Sequence, residues 1–505
     1  MSEAGSRPAV TRDDVARGAA LAGLARLGAL IEALAQPLYT WLFGIATYGI
    51  YVVLWAAVSL ATNLTGLAMT AALQRIVPTR ASEAEVHGAV KLALITSVLP
   101  AALLALIVTL NAEAVAGIFS VAPEDAARLP AAIALFAWAL PLWSFVETAT
   151  AAARARRAFG PEIRLRIFWE QIARILFAVG FFLLGFATEG LMLAHLCSLA
   201  LTAALCVRLL GRYYDLRQLL AAPIPARLMR ELLASGLALL PADLSRRLLI
   251  DAPALVLNLL FPGAAGAAAA GLFEIARKLS TVPLIVRQAF QYVLGPLSSA
   301  QAHVDRAQVA PLYRFASRVS TALVVPLAGL LIFAGVNILS IYRPEAAAAL
   351  PILYILVAAR AFEAVVGPAS TLVEMIGHRA LPLLNSLIAA ALWAGLAAWL
   401  APTYGAIGMA VAVGAATMAS SYAATLELRV ADRLSPFDYK LFQGLGVALV
   451  GVTLMALAAN AAGGPLRFAL VLALWAATSW LALRHGLTRD DRLALGGAAR
   501  KLRLV

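Results

Sequence analysis

The stretch from Leu42 to Pro78, LFGIATYGIYVVLWAAVSLATNLTGLAMTAALQRIVP, holds a single charged side chain, Arg75. About twenty apolar residues, each rising 1.5 Å, cross a hydrocarbon layer of about 30 Å, so a run of this kind reads as a membrane-spanning helix with its flanks. Strict apolar-polar alternation, the mark of a membrane barrel, is missing from it. The same pattern recurs along the whole chain. Of 505 residues 62% are hydrophobic and 13% charged, and the mean hydropathy is +0.87. A soluble domain carries charge at about a quarter of its positions, so these values exclude an ordinary soluble fold. The expected fold class is all-α and polytopic, with about fourteen spans.

The spans are expected near residues 21–44, 47–72, 88–111, 129–151, 167–187, 190–211 and 231–259. Seven more follow near 267–297, 317–340, 348–374, 381–400, 404–426, 441–461 and 467–484. The net charge of +13 follows this layout rather than forming a nucleic-acid patch. With both termini cytoplasmic, most Lys and Arg fall in cytoplasmic segments, and only Arg128, Arg343 and Arg467 fall outside. Basic residues resist translocation, so the bias sets the orientation, with membrane lipids, anionic headgroups above all, as the ordinary partners. A missed span would scramble the asymmetry beyond it. The first twenty residues are polar and lack a signal-peptide pattern, so insertion is expected to rely on the spans. Cys197 and Cys206 read as packing residues, and the scattered histidines show no helical ligand spacing, so no metal is expected.

The first twelve spans read as two copies of a six-helix unit. Leu42-Phe43-Gly44-Ile45 opens a long helix in the first copy, and Leu260-Phe261-Pro262-Gly263 opens its counterpart in the second. Six spans return the chain to its starting side, so the copies share an orientation and meet at an axis along the membrane normal. The expected units are 1–20 as an N-terminal segment, 21–230 and 231–437 as lobes, 438–484 as two further spans and 485–505 as a basic tail. Pro141, Pro253, Pro283, Pro326 and Pro368 fall within spans and suit bent helices.

Charges inside a bilayer are costly and face the bundle interior or water. Span 7 carries Asp243, Arg246, Arg247, Asp251 and Asn258, and span 8 carries Glu274, Arg277, Lys278, Arg287, Gln288 and Tyr292. At 100° per residue most of these share one face of each helix, which predicts a hydrated cavity. The simple alternative pairs Asp251 with Arg247 and Glu274 with Lys278 at i,i+4 as structural ion pairs. Basic residues outnumber acidic ones in the cluster, and a basic surplus within a membrane needs an anion. A pyrophosphate joining a sugar to a polyprenol supplies one, and Arg binds phosphate bidentately. Asp243, Asp251, Glu274 and Glu32 are the candidates for a coupling proton or sodium ion. Arg26 and Glu32 lie on span 1 with Gln36 and Tyr39. Tyr48, Tyr51 and Trp55 form a stripe on span 2 suited to stacking on sugar rings, or to packing. Glu147, Arg360, Glu363 and Glu374 are further intramembrane charges. The arginines between spans 4 and 5, from Arg154 to Arg166, read as topogenic, with i,i+4 pairs open to Glu170 from Arg166 and Arg174. No P-loop and no nucleophile elbow is present, so neither ATP hydrolysis nor any other cofactor chemistry is expected.

Residues 42–78 resemble spans 1 and 2 of bacterial polysaccharide transporters, the O-antigen and exopolysaccharide flippases. GLFEIARKLSTVPLIVRQAFQYVLGPLSSA, residues 271–300, resembles their span 8. The wider superfamily also holds lipid II flippases and drug–cation antiporters. The resemblance implies two six-helix lobes in a V, alternating access and a cavity between spans 1, 2, 7 and 8. It implies substrate contacts by Arg246, Arg247, Arg277 and Lys278, beside which Arg287 and Arg26 are further substrate-binding candidates, and a lipid-linked oligosaccharide as the cargo. A polysaccharide polymerase or glycosyltransferases are the implied protein partners, and the bacterial inner membrane the implied site. An antiporter would show a net acidic cavity. A membrane glycosyltransferase or polymerase needs catalytic groups on a large outer loop, which is absent from this layout. A scaffold in envelope synthesis stays open.

Overall fold

The computed structural model describes residue 31 and residues 34–80, 82–156, 158, 160, 163–186, 188–286, 309–376, 380–495 and 500–503. All regular structure among them is helical. Helix α1 covers residues 34–43, followed by α2 (Ile45–Thr65), α3 (Met69–Ile76) and α4 (Glu83–Leu110). Next come α5 (Leu129–Phe136), α6 (Ala139–Ala155), a π-helical turn (Ile163–Trp169), α7 (Glu170–Leu183) and α8 (Gly190–Tyr213). The second half holds α9 (Ala226–Leu260), α10 (Ala264–Leu279), α11 (Val309–Phe333), α12 (Leu350–Val365), α13 (Ala369–Ile376) and α14 (Leu381–Ala431). Helices α15 (Tyr439–Ala461), α16 (Gly464–Gly486) and the short α17 (Arg489–Ala494) close the chain.

Nine helices among the described residues are long and apolar enough to cross a membrane. Their outer faces carry the expected lipid-side residues: Leu99, Ile107, Leu426, Val430 and Leu454 stay exposed. The chain is therefore a multi-pass membrane protein. Three features account for much of the gap between nine and the predicted fourteen. Only ten consecutive residues of α1 are described, and α7 is short because Ile163–Trp169 winds as a π-helix ahead of it. The third feature is α14, a continuous helical run of 51 residues that breaks at Gly405, where φ is 56° and ψ −136°. A straight helix would separate Asn385 from Glu427 by about 63 Å. Instead the Asn385 amide donates to Glu427 at 2.8 Å. α14 is a hairpin, and its arms match the predicted blocks 381–400 and 404–426.

The two turns singled out in the sequence share a backbone geometry. Gly44 before α2 has φ 86°, ψ 162°, and Gly263 before α10 has φ 62°, ψ −146°. Positive φ with extended ψ is open almost only to glycine, so both turns depend on that residue. The prolines are used differently from expectation. Pro253 and Pro326 do lie inside helices, as do Pro100, Pro241 and Pro402. Pro141 instead falls in the first turn of α6, and Pro283 and Pro368 fall in the turns after α10 and α12. There the ring ends or starts a helix, and no interior hydrogen bond is lost.

The last two long helices are clamped to the body at one end. Arg318 of α11 reaches Asp438, which caps α15, and its Nη1 donates to Asp491 of α17 at 2.5 Å. Asp491 also completes a capping box with Thr488. Three elements thus meet on one guanidinium that is about one-tenth exposed. Removing one member of such a buried set costs about 3–5 kcal/mol, so Arg318→Met should lower the thermal midpoint markedly without touching the first half. Burial pushes the Asp438 carboxyl up, but the Arg318 hydrogen bond, the Leu441 N–H and the Arg318 charge together hold it below the usual carboxylate range. Its folded pKa is lowered, so its contribution is complete at neutral pH and fades as pH falls below about 4. Acid titration of the thermal midpoint should show this loss in the wild type and a flatter curve in Asp438→Asn.

Candidate substrate cavity

Helix α9 is the element that brings the charges together. It packs against α2 and α3 on one side and against α10 and α14 on the other. Between them lies a cavity of about 630 Å³. Helix α2 lines it with Tyr48, Tyr51, Trp55 and Ser59, α9 with Arg247 and Asp251, and α10 with Glu274, Arg277 and Lys278. Gln36 and Tyr39 of α1, Trp143 of α6, Arg166 of the π turn, and Glu170, Gln171 and Arg174 of α7 complete the wall.

At the Tyr48 end of the cavity the backbones of α2 and α10 come into contact. The first turns of α2 and α10 cross so closely that a Cβ on Gly49 would lie 1.8 Å from the Ala267 carbonyl oxygen. On Gly271 it would lie 2.8 Å from that of Ile45. Two further ties hold the halves together at this end. Asn258 exchanges hydrogen bonds with the Ser120 backbone at 2.7 and 3.0 Å, and the Trp41 indole donates to the Ile341 carbonyl at 2.8 Å.

The charged groups form defined partnerships. Ser59 donates to Asp251 at 2.6 Å and accepts from Arg247 at 3.1 Å, while Arg247 also donates to Glu147 at 2.7 Å. Arg277 grips Glu274 through Nε and Nη2, each at 2.6 Å. Arg174 pairs with Glu170 along α7. Arg166 lies 3.8 Å from Glu147 and stacks over Trp143, 4.4 Å from the ring centroid. Five cationic side chains therefore face three carboxylates across the cavity. Counting Glu147 behind the wall, the cations still outnumber the acids. Such a surplus, held in place by ion pairs in a low-dielectric setting, gives the cavity a net positive lining.

The opposite wall is aromatic. Trp55 meets Trp143 edge-on at 5.1 Å, and Tyr48 and Tyr51 stand 6.2 Å apart. Behind them the fully buried His195 hydrogen-bonds Tyr51 at 3.0 Å and packs on Trp55 at 4.2 Å, which fixes both rings.

Of the residues singled out in the sequence, Arg247, Asp251, Glu274, Arg277, Lys278, Tyr48, Tyr51 and Trp55 line this cavity. Arg246 faces away and is more than half exposed, between Asp243 at 3.3 Å and Glu374 at 3.8 Å. Asp243 sits one turn below the cavity, holding Asn63 at 2.6 Å. Arg26, Glu32 and Arg287 lie outside the described residues. The structure adds Arg166, Glu170 and Arg174. These recur at i, i+4 and i+8, a stripe visible in the sequence but read there as topology and local pairing.

The comparisons agree with this architecture. The model of a family described as polysaccharide biosynthesis protein matches residues 15–301, more than half of the chain. No curated protein matches the sequence significantly. Among solved structures, the chain is similar to the lipid II flippase MurJ in an inward closed conformation, at 11% identity and a TM-score of 0.71. That match covers 92% of this chain and 98% of the other. An inward-facing multidrug resistance MATE family transporter of the MOP superfamily matches at 16% identity and a TM-score of 0.60, covering 82% and 94%. A MOP superfamily transporter from Pyrococcus furiosus, described by the reversed polarity of its binding pocket, gives 14% and 0.58, with 82% and 94% covered. At these identities the likeness establishes the fold. By its family match, this helical membrane protein of the MurJ and MATE type of fold belongs to the polysaccharide biosynthesis protein family.

Proposed function

We propose that the chain is a flippase that carries a polyprenyl-pyrophosphate-linked oligosaccharide from the cytoplasmic to the outer leaflet, for surface polysaccharide such as O-antigen or exopolysaccharide. The observation that carries this reading is the cationic surplus of the cavity, which suits a pyrophosphate and disfavours a cationic drug. A volume of about 630 Å³ lies within the range of about 300–1,000 Å³ typical of small-molecule sites. The aromatic wall of Tyr48, Tyr51, Trp55 and Trp143 gives sugar rings flat surfaces, and the buried Trp143 indole N–H has no hydrogen-bond partner among the described residues. The reading entails fourteen spans with both termini cytoplasmic, two six-helix lobes in a V and release at the outer face of the bacterial inner membrane while the tail stays in lipid. It also entails alternating access driven by the membrane potential or by a coupled proton or sodium ion, with no chemical step on the cargo. Glycosyltransferases or a polymerase would supply and consume the cargo.

The test is flipping in proteoliposomes, with a fluorescent polyprenyl-pyrophosphate sugar followed by its access to an external enzyme. Protein-dependent exposure is the expected result. Export of a cationic dye with no movement of the lipid-linked sugar would assign the chain to antiport.

A further inference from the structure

A second polar pocket adjoins the first, at the far end of α2 from the Gly49 crossing. There the helix stops at Thr65 and α3 starts at Met69. The break runs through Leu67 and Ala68, whose φ angles of 47° and 53° are left-handed. That conformation costs about 1–2 kcal/mol per non-glycine residue, so the surroundings hold it in place. Around the break lies a pocket of about 30 Å³, lined by the oxygen-bearing Thr62, Asn63, Ser97, Thr148, Glu147 and Asp243, and also by Arg247, among others.

Four of those residues present oxygen atoms with no hydrogen-bond partner among the described residues: Thr62 Oγ1, Asn63 Oδ1, Ser97 Oγ and Thr148 Oγ1. Each residue is more than nine-tenths buried. Asn63 has its orientation set by its own amide, which donates to Asp243 at 2.6 Å and leaves Oδ1 for the pocket. A helical hydroxyl ordinarily donates to the carbonyl one turn back. Thr65, Thr96, Thr109, Thr150 and Ser245 all do so, whereas Thr62, Ser97 and Thr148 do not. A buried polar atom without a hydrogen bond costs about 1–3 kcal/mol, and here four belong to residues that line one pocket together with two carboxylates.

Hydroxyl, amide and carboxylate oxygens beside a broken helix are the ligand set of a hard cation. Both carboxylates already face an arginine, so the pocket carries too little net negative charge to favour a divalent ion. We infer that Thr62, Asn63, Ser97 and Thr148, with Glu147 and Asp243, form a binding site for one monovalent cation of sodium size. The consequence for transport rests on the flippase reading above. A cation beside Glu147 competes with Arg247 for that carboxylate. It thereby frees the guanidinium for the anion in the cavity, so cation and headgroup bind cooperatively. Because Asp243 and Arg247 belong to α9 and the hydroxyls to α2, α4 and α6, the ion also ties the two halves.

The test uses the purified full-length protein in detergent, with ²²Na⁺ binding and the thermal midpoint both measured at constant ionic strength, choline replacing sodium. Saturable binding of one sodium per chain and a sodium-specific rise in midpoint are expected. Ser97→Ala and Thr148→Val each remove one oxygen while nearly keeping volume. Each should weaken apparent sodium affinity at least tenfold while the midpoint in choline stays at the wild-type value. If Thr148→Val misfolds, Ser97→Ala carries the result alone. A midpoint that rises equally with every salt, or sodium binding unchanged in the folded variants, overturns the site and leaves a pocket for water. Binding is read without transport, so sodium binding in a protein that flips nothing would sink only the flippase reading. Flipping without any sodium binding would sink only the site.

Discussion

Replacing Arg247 with alanine is expected to slow the flipping of a pyrophosphate-linked sugar about 100-fold. Truncating one partner of a buried charge pair costs about 2–5 kcal/mol, and each 1.4 kcal/mol is a factor of about ten. Arg247 is the branch point of the polar chain that runs from Glu147 through Ser59 to Asp251. On the flippase reading its loss removes a phosphate ligand, and it leaves Glu147 with Arg166 and Ser59 with Asp251. Arg247→Lys keeps the charge but not the planar fork, so a loss of about tenfold is expected. The readout is the initial flipping rate of protein that elutes as a single species. A rate within twofold of wild type in Arg247→Ala would mean that the guanidinium merely neutralises Glu147.

Gly49→Ala is expected to destabilise the protein by about 3 kcal/mol, at the upper end for an inserted methyl group. The obstacle is a carbonyl oxygen of the facing helix, 1.8 Å from where the methyl would sit, and backbone does not swing aside as a side chain does. The N-terminal halves of α2 and α10 would have to part at their crossing. Gly395→Ala and Gly446→Ala are the controls. Nothing lies within 4 Å of a Cβ at either position, and alanine favours a helix by about 1 kcal/mol over glycine. Their thermal midpoints should stay level or rise while that of Gly49→Ala falls. A Gly49→Ala protein as stable as wild type would show that the crossing is looser than its geometry implies.

The class of fold was legible from hydropathy alone, and so were the inward faces of α2, α9 and α10. On those helices, 100° periodicity places Tyr48, Tyr51, Trp55, Arg247, Asp251 and Glu274 correctly, because each face must turn its polar side from lipid. Periodicity does not name partners. In place of the i,i+4 pair of Arg247 with Asp251 that the sequence offered as the simple alternative, Arg247 bonds Glu147 and Ser59, which lie 100 and 188 residues away from it. Glu274 takes Arg277 at i+3 for its bidentate pair. Arg246, one position and 100° from Arg247, turns out of the cavity for the same geometric reason. The contribution of Arg166, Glu170 and Arg174 was hidden by a second explanation, since arginines ahead of a span also satisfy the orientation rule. The π turn at Ile163–Trp169 shifts the phase of that segment as well, and no local signal announced it. The oxygen pocket needed the break after Thr65, which a continuous apolar run conceals.

Helix α9 has a mechanical property as well as a chemical one. Pro241 and Pro253 lie twelve residues apart within it, and each strips the hydrogen bond that would stiffen its own turn. Ser245 bonds back to the Pro241 carbonyl at 2.7 Å, which loosens that turn further. Asp243, Arg247 and Asp251 all ride on the stiff link between these two joints. On the flippase reading proposed above, a small bend at either joint would be geared into sideways travel of a charged crank, and no charge would need to leave its own rotamer for the site to change sides.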